Sequence, residues 1–90
     1  MTAPVRFALA GFGAWGRFHA ASIVGTPGAA LVAVAAPTEA SRAEAARGYP
    51  QARVFADART MIAETDCDVV DIVTPSHTHR VLAEAALAAG

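Results

Sequence analysis

Apolar positions gather in four short runs, at residues 5–10, 31–36, 53–55 and 69–73, in which Arg6, Arg53 and Asp71 are the polar members, with longer mixed stretches between them. Runs of this length that lack alternation suit strands buried on both faces, as in a parallel sheet. Arg6 near the start of the first run is expected at the sheet's rim. The mixed stretches carry helical spacing and helix punctuation. Residues 14–24 have an apolar side formed by Phe18, Ala21, Ile23 and Val24, with Gly25 as the stop. Pro27-Gly28 turns the chain. Pro37-Thr38 breaks the second run, and Thr38 can cap a helix from residue 39 to about 47. Gly48-Tyr49-Pro50 ends that helix. Residues 60–64 form one or two helical turns with Met61 and Ile62 inward. Thr74-Pro75 ends the fourth run, and Ser76 or Thr78 caps a last helix to about residue 89, in which Val81, Leu82, Ala85 and Ala86 recur at helical spacing.

The alternation β-α-β-α-β-α-β-α implies an α/β fold, a parallel sheet with helices on both faces. Right-handed crossovers favour strand order 3-2-1-4, a partial doubly wound sheet of Rossmann type. A ligand crevice then opens outside the carboxyl ends of strands 1 and 4, where the order reverses. The segments that converge there are residues 11–16 and 74–79.

The first of these is Gly11-Phe12-Gly13-Ala14-Trp15-Gly16, a G-x-G-x-x-G turn between a strand and a helix. Gly11 allows a sharp exit from the strand. Gly13 allows the backbone to approach a diphosphate. Gly16 allows the helix to lie close on the sheet. The anion would rest on free N–H groups at the positive end of the helix dipole. Phe12, Ala14 and Trp15 line the turn. Phe12 is expected to lie along the cofactor instead of serving the core, and Trp15 to be packing or an exposed lid.

Composition narrows the choice of partner. The net charge is −1, and all seven basic residues are scattered arginines, read as a solvated face. This argues against nucleic acid and against a membrane surface. Cys67 is the only cysteine, so neither a disulfide nor a zinc cage is supported; it reads as packing. No signal peptide or membrane span is read, and the cytoplasm is the expected location. Ninety residues make one small domain of marginal independent stability.

The whole pattern resembles the N-terminal half-domain of the Gfo/Idh/MocA oxidoreductases, the glucose–fructose oxidoreductase and inositol dehydrogenase family. The likeness rests on Gly11, Gly13, Gly16 and His19, and on the second strand Leu31-Val32-Ala33-Val34-Ala35. It rests also on Asp66-Cys67-Asp68-Val69-Val70-Asp71-Ile72-Val73-Thr74-Pro75-Ser76-His77-Thr78-His79 and on the closing Ala-Leu-Ala-Ala-Gly that ends at Gly90. It implies an NAD(P)-dependent oxidoreductase that moves hydride to or from the carbinol carbon of a sugar, inositol or related polyol, as a homo-oligomer when full length. The family's Glu-Lys-Pro segment and its substrate domain are not in these residues. The chain is therefore expected to be the N-terminal part of a dinucleotide-binding domain, inactive by itself, and no catalytic residue is assigned. The alternative is a dinucleotide-binding module without catalysis, either a redox sensor or an inert truncated product.

The resemblance also implies cofactor contacts by Thr74 and Pro75, mostly through backbone, and by Ser76 and His79. His79 either faces the nicotinamide side or substrate, or caps its helix; as neutral imidazole it suits the positive helix end. His77 and His79 lack a third metal ligand, so no metal is assigned. Two departures stand out. Ser76 replaces a common asparagine, and Ala36 stands where an acidic residue often ends strand 2. Ala36 neither binds the adenosine ribose nor repels a 2′-phosphate. Thr38, Ser41 and the amides at the next helix start could receive that phosphate, with Pro37 lining the cofactor beside them and Arg42 in reach only if it curls back. NADP is therefore expected to bind at least as well as NAD. His19 is read as structural, bonding near the helix start, and Asp71, inside an apolar strand, as an aspartate with a hydrogen-bond partner or at an edge.

Overall fold

The computed structural model describes residues 3–73, which fold as β1 (Val5–Ala10), α1 (Ala14–Val24), β2 (Ala29–Ala35), α2 (Glu39–Gly48), β3 (Arg53–Phe55), α3 (Ala58–Glu64) and β4 (Val69–Ile72). All strand pairs are parallel and the order is β3-β2-β1-β4. Strand 1 is thus central, as the alternation of elements requires. The expected helix after residue 75 lies outside the described residues.

Successive strand residues face opposite sides, so each strand feeds two cores. Leu9, Leu31 and Val34 lie with Ala20 and Ile23 of α1 and Ala45 of α2 on one face. Ala8, Ala10, Ala33 and Ala35 pack with Phe55 and with Met61 and Ile62 of α3 on the other. The second face is lined with alanines, and Met61 supplies the volume that these small residues leave.

The helical face of α1 differs from expectation. Gly16, Ala20 and Ile23 are buried, whereas Phe18 is 64% exposed and Val24 and Ala21 also face outward. Spacing alone favoured the larger side chains. The sheet instead takes the stripe that contains Gly16, because only there can helix and strand come close enough to bury Ala20.

Element ends shift by one or two residues for local reasons. β2 begins at Ala29, two residues early, because Val5 and Arg6 of β1 extend the pairing to Ala29 and Ala30. The Ala36 N–H still donates to the Phe55 carbonyl at 2.9 Å beyond the strand's end. α3 starts at Ala58 because Asp57 caps it, accepting from the Thr60 N–H at 3.2 Å. Thr38 caps α2 as expected, accepting from the Ser41 N–H at 3.1 Å. No helix among the described residues is long and apolar enough to cross a membrane.

The scattered arginines are not simply solvated. Arg17 meets Glu44 at 2.6 Å and Arg53 meets Glu64 at 3.2 Å, tying α1 to α2 and β3 to α3. Arg6, at the sheet's amino rim, donates to Asp66 at 2.8 Å and to Asp68 at 3.2 Å. The Arg6 side-chain hydrogen bond holds the Asp68 carboxyl below the usual carboxylate range, and the Thr60 hydroxyl does the same for Asp57. Folded-state values lowered in this way stabilise the fold above the unfolded carboxylate pKa of about 3.9, and that stability drains as pH falls through the folded value. Acid unfolding of the full-length protein, followed by circular dichroism, is therefore expected to be shallower below about pH 4 in an Asp68→Asn variant. An unchanged acid limb would contradict it.

Candidate functional site

β1 delivers the chain to the glycine turn. Gly11 takes φ +111°, a region closed to most L-residues, and its N–H donates to the Ala35 carbonyl at 2.9 Å. Gly13 then serves as the N-cap of α1 in an extended conformation, and a Cβ placed there would meet nothing within 4 Å among the described residues. At Gly16 a Cβ would stand 2.3 Å from the Gly11 carbonyl oxygen and 2.8 Å from its carbon. The turn is folded so tightly that only glycine fits at Gly16, while no described residue fronts Gly13.

Among the described residues no side chain caps α1, and its first turn carries no acidic residue. The Gly13 carbonyl accepts from the Arg17 N–H at 2.9 Å, which opens the regular helix ladder. The amides of Ala14, Trp15 and Gly16 precede that ladder and so lack intrahelical acceptors. With the helix dipole they form a positive end that no side chain caps among the described residues. β4 closes the far side. The Val73 N–H donates to the Ala10 carbonyl at 2.9 Å, and Val73 Cγ2 lies 3.5 Å from the position of a Gly16 Cβ. The carboxyl ends of β1 and β4 thus meet at the turn, as the reversal of strand order demands. Thr74, Pro75, Ser76, His77 and His79 lie outside the described residues.

Phe12 departs from its expected place along a cofactor. It is 5% exposed and belongs to the core that holds Leu9, Ala36, Ala45 and Ala52. Its ring meets Tyr49 edge-on at 6.2 Å, and the Arg17 guanidinium lies 5.4 Å from its centroid. The alanines of α2 and of the following loop leave room that an aromatic ring fills. Any contribution of Phe12 to the turn is thus through its backbone. Trp15 is 72% exposed and stands edge-on to Phe18 at 6.2 Å; of the two expectations, the exposed position holds.

His19 bonds to β4 and not to the helix start. Its Nδ1 lies 2.6 Å from Asp71 Oδ2, both side chains being half-buried. This pair answers the need of Asp71 for a partner within an apolar strand and ties α1 to the strand at the reversal point. Cys67 packs against the α3-side core, and burial pushes its thiol up, away from the reactive thiolate range. Among the described residues no three His, Cys, Asp or Glu side chains gather as a metal site.

At the end of β2, Ala36 is fully buried and Pro37 and Thr38 are exposed. Arg42 folds back from α2, and its Nη1 donates to the Ala36 carbonyl at 3.0 Å. The strand end that lacks an acid is thereby supplied with a cation. The fold-back meets the condition set for Arg42 in the sequence, whereas the Asp71–His19 pair, the place of Arg17 between Phe12 and Glu44 and the Asp57 cap escaped sequence reasoning. Only the Asp57 cap had a local signal, an Asp three residues before Thr60.

Residues 5–90 match a family described as an oxidoreductase family with an NAD-binding Rossmann fold. The chain is 34% identical over its full length to the uncharacterized oxidoreductase YdgJ of Escherichia coli K12, of which it covers 25%. Among solved structures it is similar to apo scyllo-inositol dehydrogenase from Lactobacillus casei, with TM-score 0.93 and 33% identity over 100% of this chain and 27% of that one. The same enzyme with bound NAD(H) and scyllo-inositol gives TM-score 0.86 and 31% identity over 97% of this chain and 26% of that one. Biliverdin reductase from Synechocystis sp. PCC 6803, in complex with biliverdin and NADP+, gives TM-score 0.86 and 30% identity over 96% of this chain and 27% of that one. The chain spans about a quarter of the length of these relatives.

Proposed function

This chain belongs to the Gfo/Idh/MocA oxidoreductase family with its NAD-binding Rossmann fold, and from that premise we propose that it forms the dinucleotide-binding part of an NAD(P)-dependent dehydrogenase. The observation that carries the reading is the glycine turn. Its closure at Gly16, with a front at Gly13 and a start of α1 that are open and uncapped among the described residues, fits a diphosphate. In this reading the first-turn amides of residues 14–16 hold the diphosphate. Ala36, Pro37 and Thr38 border the adenosine ribose, and Thr74, Pro75, Ser76 and His79 border the nicotinamide side. When bound, the nicotinamide supplies hydride transfer. The chain's own share is to orient the dinucleotide at the ends of β1 and β4 and to neutralise its diphosphate.

The proposed substrate class is a sugar, inositol or related polyol oxidised at a CH–OH carbon. Support comes from the likeness to scyllo-inositol dehydrogenase, since no described residue reads a sugar. Residues 1–90 would be the N-terminal part of the cofactor domain. The proton-transfer groups and the substrate domain would belong to the remaining length that the relatives possess. The cytoplasm is the proposed location, in keeping with the lone Cys67.

On cofactor choice we propose that NADP binds at least as well as NAD. Ala36 offers no carboxylate to hold a ribose 2′-hydroxyl, and a lost charge-assisted hydrogen bond weakens NAD by about ten- to a hundredfold. Titration of the full-length protein with NADPH and NADH, read by nicotinamide fluorescence, tests both levels. NADPH is expected to bind with equal or higher affinity. A clear NADH preference overturns the cofactor choice, and no binding of either overturns the dinucleotide site.

A further inference from the structure

Resting on the dinucleotide reading above, we propose that His19 and Asp71 are positioning residues for the cofactor. Their hydrogen bond sets the angle of α1 against β4, and with it the aim of the amides of residues 14–16 at the diphosphate.

The seat of α1 calls for such a device. Its buried residues are Gly16, Ala20 and Ile23. Near the turn the helix therefore rests on a glycine and an alanine, which let it come close but carry too little side chain to key its orientation. Apolar contact is non-directional, whereas a hydrogen bond weakens as its angle departs from linear. Among the described residues His19–Asp71 is the one side-chain hydrogen bond between α1 and the sheet. The other charged tie of α1, Arg17 to Glu44, runs sideways to α2.

The bond also lies at a telling level. Asp71 is in register with Leu9 of β1. Val73, two residues on, packs against the same core as Leu9, and its Cγ2 lies 3.5 Å from the position of a Gly16 Cβ. Residues two apart share one face of a strand. α1 thus meets this face at two levels, Gly16 against Val73 and His19 against Asp71. The two levels are three helical residues apart, about 4.5 Å along the axis. One contact would leave a pivot at Gly16; the second fixes a line. A swing about Gly16 would move residues 14 and 15 directly, since they lie beyond it at the helix start.

The chemistry suits direction more than bulk stability. His19 Nδ1 lies 2.6 Å from Asp71 Oδ2. The carboxylate oxygen accepts, so Nδ1 carries the hydrogen, and a bond to a carboxylate is among the stronger kinds. The Phe18 ring stands edge-on to the imidazole at 6.4 Å. Both partners keep some contact with solvent, and pairs of that kind add little to global stability.

The test titrates the full-length protein and its variants with NADH and NADPH, alongside urea unfolding of the cofactor-free forms. Asp71→Leu suits the apolar strand around it, so its unfolding midpoint is expected to stay near that of wild type. Both cofactors are nonetheless expected to bind it about tenfold more weakly. The two losses should match, because the diphosphate is common to both. His19→Leu is expected to give the same losses. His19→Asn places an amide N–H near the position of Nδ1 and should restore both affinities to within about threefold of wild type. Combining Asp71→Leu with His19→Leu should cost no more affinity than either change alone. Unchanged affinity in a folded Asp71→Leu protein would overturn the proposal and leave the pair a brace for the fold. A loss confined to one cofactor, no rescue by His19→Asn, or additive losses in the double variant would overturn it as well. If wild type binds neither cofactor, the dinucleotide site itself fails and the positioning role falls with it.

Discussion

Gly16→Ala is expected to destabilise the full-length protein by about 2–3 kcal/mol and to weaken cofactor binding with it. The added methyl would sit 2.3 Å from the Gly11 carbonyl oxygen, and the obstacle is backbone, not the end of a flexible side chain. Either α1 lifts off β1 or the turn opens. Both movements misdirect the amides of residues 14–16. Replacing a helical glycine by alanine normally favours the helix by about 0.5–1 kcal/mol, so the observed loss is what remains after that gain. Gly13→Ala is the matched control. Its backbone, with φ −81° and ψ −159°, is open to alanine, and no atom of the described residues stands within 4 Å of the new Cβ. Stability should hold within about 0.5 kcal/mol, while NADPH affinity falls at least about tenfold because the methyl occupies the diphosphate's approach. Urea unfolding and cofactor titration of both variants separate the two roles. A Gly16→Ala protein as stable as wild type, or a Gly13→Ala protein that binds normally, would refute this account of the turn.

The second large effect is expected at Phe12. Phe12→Ala should cost about 3–5 kcal/mol, the range for deleting a buried aromatic ring. The ring belongs to the core that holds Leu9, Ala36, Ala45 and Ala52, stands edge-on to Tyr49 and has the Arg17 guanidinium over it. Small alanines cannot move in to fill the void, so relaxation recovers little. For a protein whose whole stability is about 5–15 kcal/mol, this is a severe change. Phe12→Leu refills much of the space and should cost less than about half as much. The measurement also separates two roles for one residue. A ring lying along a cofactor would lose affinity on truncation and leave the unfolding midpoint in place. A core ring shifts the midpoint in the absence of any cofactor. A Phe12→Ala midpoint equal to wild type would return the residue to the crevice.

Much of the architecture was legible from residues near one another in the chain. β1, α1 and β3 occur at the expected bounds, because short apolar runs, glycine stops and prolines act within a few residues. Thr38 caps its helix as its position suggested. The strand order followed from connection handedness, which needs only the succession of elements. The three glycine roles were legible for the same reason. At Gly11 and Gly16 the role arises from a backbone constraint that other residue types cannot meet.

What tertiary structure alone decided involves partners far apart in sequence. Periodicity offered α1 an apolar side through Phe18 and Val24, yet the sheet took Gly16, Ala20 and Ile23. The depth of approach at Gly16 chose the face, and that depth depends on the strand beneath. Phe12 turned inward because α2 and the loop after it left a gap. Asp71 found its partner on His19, 52 positions away, and Arg42 reached back to Ala36 instead of outward to solvent. Local pattern dictates which backbone shapes a segment can take. Where a side chain finally lies depends on which volume is vacant and which charge is unanswered once separate segments have closed on one another.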